Sequence, residues 1–293
     1  MTAVSRRAVL RVLAAGAAAA AVPSAADARQ RAAVADDLGL LFDQTRCVGC
    51  RACTVKCREA NGLGAQVRLV DGVAYDAPLD LDDRTLTVIK RFEDGAREGF
   101  VKAQCMHCVD PACVSVCMLG ALHKEPHGVV GYDVSRCVGC RYCQVACPFN
   151  VPRFQWSSAT PRIVKCELCR HRYAEGKGAA CAEACPRDAV RFGRRADLLA
   201  EARRRIAERP EAYHPGVYGE REGGGTGVLV LAAVPFEVLG LPALGAEPVP
   251  AFGERIQHGI YQGFVAPVAL YAALAFTIWR NRGAGEAHEE DER

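Results

Sequence analysis

The chain lacks the charge excess that nucleic-acid binding would require: 37 Lys and Arg stand against 34 Asp and Glu in 293 residues, a net charge of +3. That balance is too even for a protein relying on a basic face. The common enzyme motifs are missing too. There is no G-x-S-x-G, no P-loop and no H-E-x-x-H, so none of these catalytic constellations is present. Gly223, Gly224 and Gly225 form a run without the G-x-G-x-x-G spacing that opens a dinucleotide-binding helix. They read as a place where the backbone packs closely or turns. Covalent haem needs C-x-x-C-H, but Arg51, Val109, Arg141 and Arg170 follow Cys50, Cys108, Cys140 and Cys169.

What the chain does have is sixteen cysteines. A chain of this length can bury a core without cysteine staples. All sixteen fall into four quartets: Cys47, Cys50, Cys53, Cys57; Cys105, Cys108, Cys113, Cys117; Cys137, Cys140, Cys143, Cys147; and Cys166, Cys169, Cys181, Cys185. The first and third read C-x2-C-x2-C-x3-C. The second widens the middle gap to four residues and the fourth widens it to eleven. Disulfides would suit an exported chain, but runs this tight do not make an ordinary disulfide framework. Zinc sites use two separated pairs. The C-x2-C-x2-C-x3-C spacing is the ligand run of a bacterial ferredoxin, in which the fourth cysteine serves the other cluster of a pair. The expected cofactors are therefore four 4Fe–4S clusters.

The segment RCVGCRACTVKC (46–57) matches RCVGCRYCQVAC (136–147) at 9 of 12 positions, and Phe42 and Asp43 match Tyr132 and Asp133 upstream. This repeat predicts two ferredoxin-like units in one chain. A strand near Ala121 and Leu122, a turn near Gly128 and a strand reaching Tyr132 join quartets two and three into an inner unit. Quartets one and four then pair around it, with a strand at 189–192 and a helix capped by Asp197 that stops before Pro210. The cross-over rule gives four ligand sets. The first is Cys47, Cys50, Cys53 and Cys185; the second is Cys105, Cys108, Cys113 and Cys147. The third is Cys117, Cys137, Cys140 and Cys143; the fourth is Cys57, Cys166, Cys169 and Cys181. Lys165, Arg46, Arg136 and Arg141 lie beside ligands and could raise cluster potentials. His107 sits inside the second quartet, which its own cysteines already complete, so a packing or hydrogen-bonding role is expected.

Both ends of the chain are apolar. Arg6 and Arg7 precede an Ala-rich stretch at 12–22 and a small-x-small site at 26–28, the pattern of a twin-arginine signal peptide. Near the other end, 259–279 is almost uninterrupted apolar sequence. As a helix it spans about 31 Å, enough for a bilayer core. Tyr261 and Trp279 flank it, and Arg280 and Arg282 place the acidic tail in the cytoplasm. His258 reads as an interface residue just before this segment.

The quartet order resembles the four-cluster electron-transfer subunits that accompany molybdenum oxidoreductases and some hydrogenases. The segments LGLLFDQTRCVGCRAC, QCMHCVDPACVSVC, CVGCRYCQVACPFNVPRF, KCELC and VYGEREGGGTGVLVLAAVPFEVLGLP narrow the resemblance to the iron–sulfur subunits of the hydrogenase-2 type. Iron–sulfur subunits of formate dehydrogenases are the nearest rival. Met118 departs from the pattern, which usually has Pro there. The resemblance implies an α+β fold of duplicated bacterial-ferredoxin-like domains plus a C-terminal transmembrane helix. It implies electron transfer from the small and large subunits of a periplasmic nickel–iron hydrogenase to an integral membrane, quinone-reactive partner. The chain itself would be non-catalytic. A self-contained reductase with a substrate beside a terminal cluster is the other class of function left open. The expected organisation is a signal at 1–28, a four-cluster domain at 29–215 and an extension at 216–257. Within the domain the inner unit is 103–150 and the outer one joins 38–60 with 160–195. A transmembrane helix at 258–280 and a tail at 281–293 complete the chain.

Overall fold

The run from Leu40 to Phe42 has no polar residue, as expected of a strand covered on both faces. In the computed structural model it lies in β1 (Leu38–Asp43), the middle strand of a three-stranded sheet. The structure describes residues 33–34, 36–64, 68–70, 73–75, 80–95 and 97–289. Arg6 and Arg7, and the signal expected at 1–28, lie outside the described residues. The chain divides into two compact units, Gln30–Pro250 in one and the segment from Ala251 in the other.

In the larger unit, α1 (Ala52–Ala60) follows β1. Two hairpins come next, β2 (Arg68–Val70) with β3 (Val73–Tyr75), and β4 (Thr87–Asp94) with β5 (Arg97–Gln104). Then come α2 (Ala112–Ser115), the antiparallel pair β6 (Leu122–Lys124) and β7 (Val130–Tyr132), and α3 (Tyr142–Ala146). The two-residue strands β8 (Arg153–Phe154) and β9 (Ile163–Val164) pair, and α4 (Ala180–Glu183) leads to β10 (Val190–Arg194). The long helix α5 (Arg195–Glu208) and β11 (Val228–Leu231) finish the unit. β10 pairs antiparallel with β1, and β11 pairs parallel with it on the other side. The short ligand-bearing helices pack in two pairs, α1 with α4 and α2 with α3.

Two local expectations need correction. Asp197 does not cap α5. The helix begins at Arg195 and Asp197 sits in its first turn, where its carboxylate takes Arg194 at 2.8 Å. An acidic side chain there still favours the positive end of the helix dipole. The segment 216–257 is more than an approach to the final helix. Its Tyr218 bridges Val230, Val228 N–H donates to Met106 O, and β11 completes the central sheet.

The second unit contributes one helix, α6 (Ala251–Glu289), 39 residues long, which begins before residue 258 and runs beyond 280. It keeps Pro267 inside it. Phe264, Val268, Tyr271, Phe276 and Trp279 are exposed along it. Among the described residues no helix is long and apolar enough to cross a membrane. The side chains of His258, Tyr261 and Gln262 lie outside the described residues.

Candidate metal centres

The sequence repeat folds as a repeated turn. Asp43 caps a tight turn by accepting from Thr45 N–H at 3.1 Å and from the Thr45 hydroxyl at 2.6 Å. Asp133 does the same with Ser135 at 2.9 and 2.6 Å. Each turn delivers the first cysteine of its quartet, Cys47 or Cys137, in extended backbone. The copies differ in surroundings. Asp43 is fully buried and its second oxygen takes Arg205 at 2.8 Å and the Tyr213 hydroxyl at 2.9 Å, whereas Asp133 lies at the surface.

Inside the first C-x2-C step of every quartet the residue before the second cysteine has positive φ: Gly49 (70°), His107 (47°), Gly139 (71°) and Leu168 (55°). Glycine adopts this conformation without strain, and two quartets use it. The other two put a side chain there because it fills the interior. Leu168 and His107 are each 1% exposed. His107 Nδ1 accepts from Val130 N–H at 3.1 Å. Burial, with Lys165 and Lys124 nearby, pushes its pKa well below the usual imidazole range, so the ring is neutral. Nε2 then carries the proton. In quartets one and three, Arg51 (58°) and Arg141 (63°) also take positive φ just after the second cysteine. These turns curl the chain around a centre before α1 and α3 begin.

The thiols surround spaces instead of meeting at points. Cys47, Cys50, Cys53 and Cys185 line one cavity of about 330 Å³, with Phe42, Ile89 and Pro186. Cys117, Cys137, Cys140 and Cys143 line another of about 450 Å³, with Leu122 and Ile163. Among the described residues no three His, Cys, Asp or Glu side chains converge closely enough to hold one ion. A single zinc would need its ligands about 2.3 Å from one point, whereas a four-iron cube offers each thiolate its own corner. All sixteen cysteines are free thiols. The donor set and the voids fit 4Fe–4S clusters.

The other thiols gather in the same crossed fashion. Burial raises Cys108 well above the ordinary thiol value, with Cys105, Cys113 and Cys147 as its thiol neighbours. Burial pushes Cys57 up to about 12, and the thiols that act on it most are Cys181 and Cys169, ahead of Cys53 on its own helix. Cys166 is raised by burial and by Cys57 and Cys181. Links between the groups run one way. Cys53 is coupled electrostatically to Cys181, Cys166 to Cys105, and Cys113 to Cys143. In order of this coupling the expected foursomes run as one row, from the Cys47 group through the Cys166 and Cys105 groups to the Cys137 group. Only Cys50 and Cys140 are exposed thiols, and they belong to the two end groups.

The flanking cations divide by role. Arg46 pairs with Asp43 at 3.4 Å and Asp188 at 3.8 Å, and Arg136 pairs with Asp133 at 3.3 Å. Arg141 stacks over Trp156, 4.5 Å from the ring centre. Lys165 is buried and donates to Val130 O at 2.5 Å and Cys166 O at 3.1 Å. Arg58, directly after Cys57, is also buried. It donates to Gly64 O, Leu63 O and Arg84 O, so it ties the following loop to the end of α1. Met118 is 81% exposed and lines the mouth of the larger cavity. The glycine run departs from its neighbours in backbone, with φ of 61°, 84° and 90° at Gly223, Gly224 and Gly225. Gly225 O accepts from Val109 N–H at 3.0 Å, which seats the run against the second quartet. Sequence reasoning missed Lys102, a buried lysine on β5; nothing near it in sequence marks it.

These features define a ferredoxin-type iron–sulfur electron-transfer protein, itself non-catalytic. Residues 97–195 match the family model of the 4Fe–4S dicluster domain. The chain is 39% identical to hydrogenase-2 operon protein HybA of Escherichia coli O157:H7, over 92% of this chain and 94% of that protein. It is 34% identical to the iron–sulfur subunit of the nitrate-inducible formate dehydrogenase of Escherichia coli K12, over 87% and 88%. A protein of Nitratidesulfovibrio vulgaris is 41% identical over 87% and 70%. The chain belongs to the HybA family of hydrogenase-2 operon iron–sulfur proteins, which is related to the formate dehydrogenase iron–sulfur subunits.

Proposed function

We propose that the chain holds four 4Fe–4S clusters, one in each crossed foursome, and conveys electrons between a periplasmic nickel–iron hydrogenase and an integral membrane, quinone-reducing partner. The observation that carries this reading is the single row of thiol foursomes with an exposed thiol only at each end. A carrier needs contact with partners at two separate places and insulation between them. Bound in these sites, the clusters supply one-electron chemistry at potentials set by hydrogen bonds, burial and nearby charge. The protein's share is to fix the thiols, keep water from the interior groups and place charge. In the two interior foursomes Cys57, Cys105, Cys113, Cys166, Cys169 and Cys181 are buried, and Cys108 and Cys147 partly so.

The hydrogenase partner rests on the likeness to a hydrogenase-2 operon protein. The formate dehydrogenase likeness supports a second reading, in which the donor is a molybdoenzyme. Export by the twin-arginine route rests on Arg6, Arg7 and the apolar stretch after them. A single anchor at 258–280, holding the chain on the periplasmic side of the inner membrane, rests on the apolar sequence and the exposed Phe264, Val268 and Trp279. Anaerobic co-purification from membranes tests the whole reading. Nickel–iron small and large subunits in the complex are the expected result, and a molybdopterin subunit in their place would move the chain to the second reading. Iron should be about 16 per chain, four irons in each of four clusters. Hydrogen or formate turnover by the isolated chain would overturn the carrier role.

A further inference from the structure

Lys102 is a buried ionisable group that the reading above leaves without a task. It lies on β5 opposite Ile89 of β4, and Ile89 lines the cavity of the Cys47 foursome. Directly paired residues of a hairpin share a face, so the lysine stands on the face that covers that cavity. It is 5% exposed. Its ammonium donates to the Thr87 hydroxyl and to Gln104 Oε1. The Thr87 proton is given to Ala103 O at 3.2 Å, so its oxygen is fixed as an acceptor for the lysine. Both acceptors are neutral. Among the described residues no carboxylate pairs with Lys102. One of its three N–H donors is left without a protein acceptor.

An unpaired ammonium costs several kcal/mol to bury. It stays buried only where opposite charge compensates it. The groups that act on it most strongly are thiols: Cys53 of one foursome, and Cys57, Cys166 and Cys181 of the next. Bound to a cluster as thiolates, these same groups would place negative charge around the buried ammonium. Four thiolates outweigh the positive charge of the cube they hold, so each loaded site is net negative, and more so once reduced. A fixed cation beside such sites favours the reduced state.

We propose that Lys102 is the built-in countercharge shared by the Cys47 and Cys166 foursomes, and that it raises the reduction potentials of the clusters held there above what the same thiols would give alone. This rests on the four-cluster reading. Lys102 is a positioning residue for charge and not a ligand.

The test is potentiometric titration of the anaerobically purified full chain, followed by electron paramagnetic resonance, with iron counted in every sample. The variants are Lys102→Met, which keeps length and removes charge, and Gln104→Glu, which keeps the lysine and pairs it. Both should retain about 16 irons, from four clusters of four. In both, one or two of the clusters should be at least tenfold less reduced at a given potential, a fall of about 59 mV for one electron. The remaining clusters should stay at wild-type potentials. Loaded variants with all potentials unchanged, or with all four shifted equally, would overturn the proposal. If only Gln104→Glu loads iron, its shift or lack of shift decides. If neither loads, the lysine serves assembly and the proposal fails. Wild-type protein without iron would instead sink the four-cluster reading, so the two failures are separable.

Discussion

Replacing Cys57 with Ser should remove a cluster from the fourth quartet's site and leave the first quartet's own site loaded. Cys53 and Cys57 stand one turn apart on α1, about 6 Å along its axis, yet the cross-over rule assigns them to different cubes. The structure separates them. Cys53 lines the cavity with Cys47, Cys50 and Cys185, whereas Cys57 is absent from that lining and lies on the helix that packs against α4, which carries Cys181. Serine is close in size, so the buried site is not emptied, but its hydroxyl is a far poorer anion than a thiol and the corner is lost. With one foursome of four disabled, iron should fall from about 16 to about 12 per chain, at four irons per cluster. The assay is an iron count with electron paramagnetic resonance on Cys57→Ser, Cys166→Ser and Cys47→Ser side by side. The signal missing from Cys57→Ser should be the one missing from Cys166→Ser. If it is the one missing from Cys47→Ser, the crossed assignment is refuted.

Three further outcomes follow from the same geometry. Arg205→Leu strands the fully buried Asp43 carboxylate, now paired at 2.8 Å; removing one partner of a buried pair costs about 3–5 kcal/mol. Because Tyr213 and Thr45 still donate to Asp43 and Arg46 still pairs with it at 3.4 Å, the loss should sit near the low end, and a denaturant midpoint unchanged from wild type would contradict it. Gly49→Ala should destabilise more than Gly139→Ala, by about 1–2 kcal/mol of overpacking. Both glycines have φ near 70°, but the added carbon would meet the Phe100 ring at 2.5 Å in one and the Phe154 ring at 3.3 Å in the other. Paired thermal melts of the loaded proteins check the order. Glu201 is held down to about 2 by its bonds to Arg204 and Arg205, from an ordinary 4.5. A depressed carboxyl stabilises the fold fully above its unfolded pKa and loses that contribution only as pH falls through its folded value. The melting difference between wild type and Glu201→Gln should therefore be the same at pH 7 and pH 5.5; a halving at pH 5.5 would be wrong for this pairing.

The legible part of the site is the part held in short stretches. Three thiols of each foursome come from one quartet, and their spacing alone states their chemistry. The repeat at 46–57 and 136–147 likewise announces two equivalent turns, and both form. The β6–β7 hairpin and β10 were readable from their apolar pairs and turn residues. The start of α5 was not, because Asp197 is equally suited to a cap and to a first turn. Arg51, Arg141, His107 and Leu168 gave no hint of positive φ; their type argues against it, and only the demand of the turn overrides that.

By itself the sequence determined the chemistry: sixteen thiols in four runs at ferredoxin spacing, too tight for disulfides and too numerous for zinc pairs. Ligand spacing is a local property, set by a dozen residues and the turns they allow. Tertiary structure decided everything that joins distant residues. It brought Cys185 to Cys47 by pairing β10 with β1, and it laid the Gly223–225 run against the second quartet while β11 paired with β1 on its other side. It put a buried ammonium, Lys102, within electrostatic reach of four thiols that lie 45 to 79 residues away in sequence. Such placements depend on which faces are buried against which, and no run of neighbouring residues encodes that.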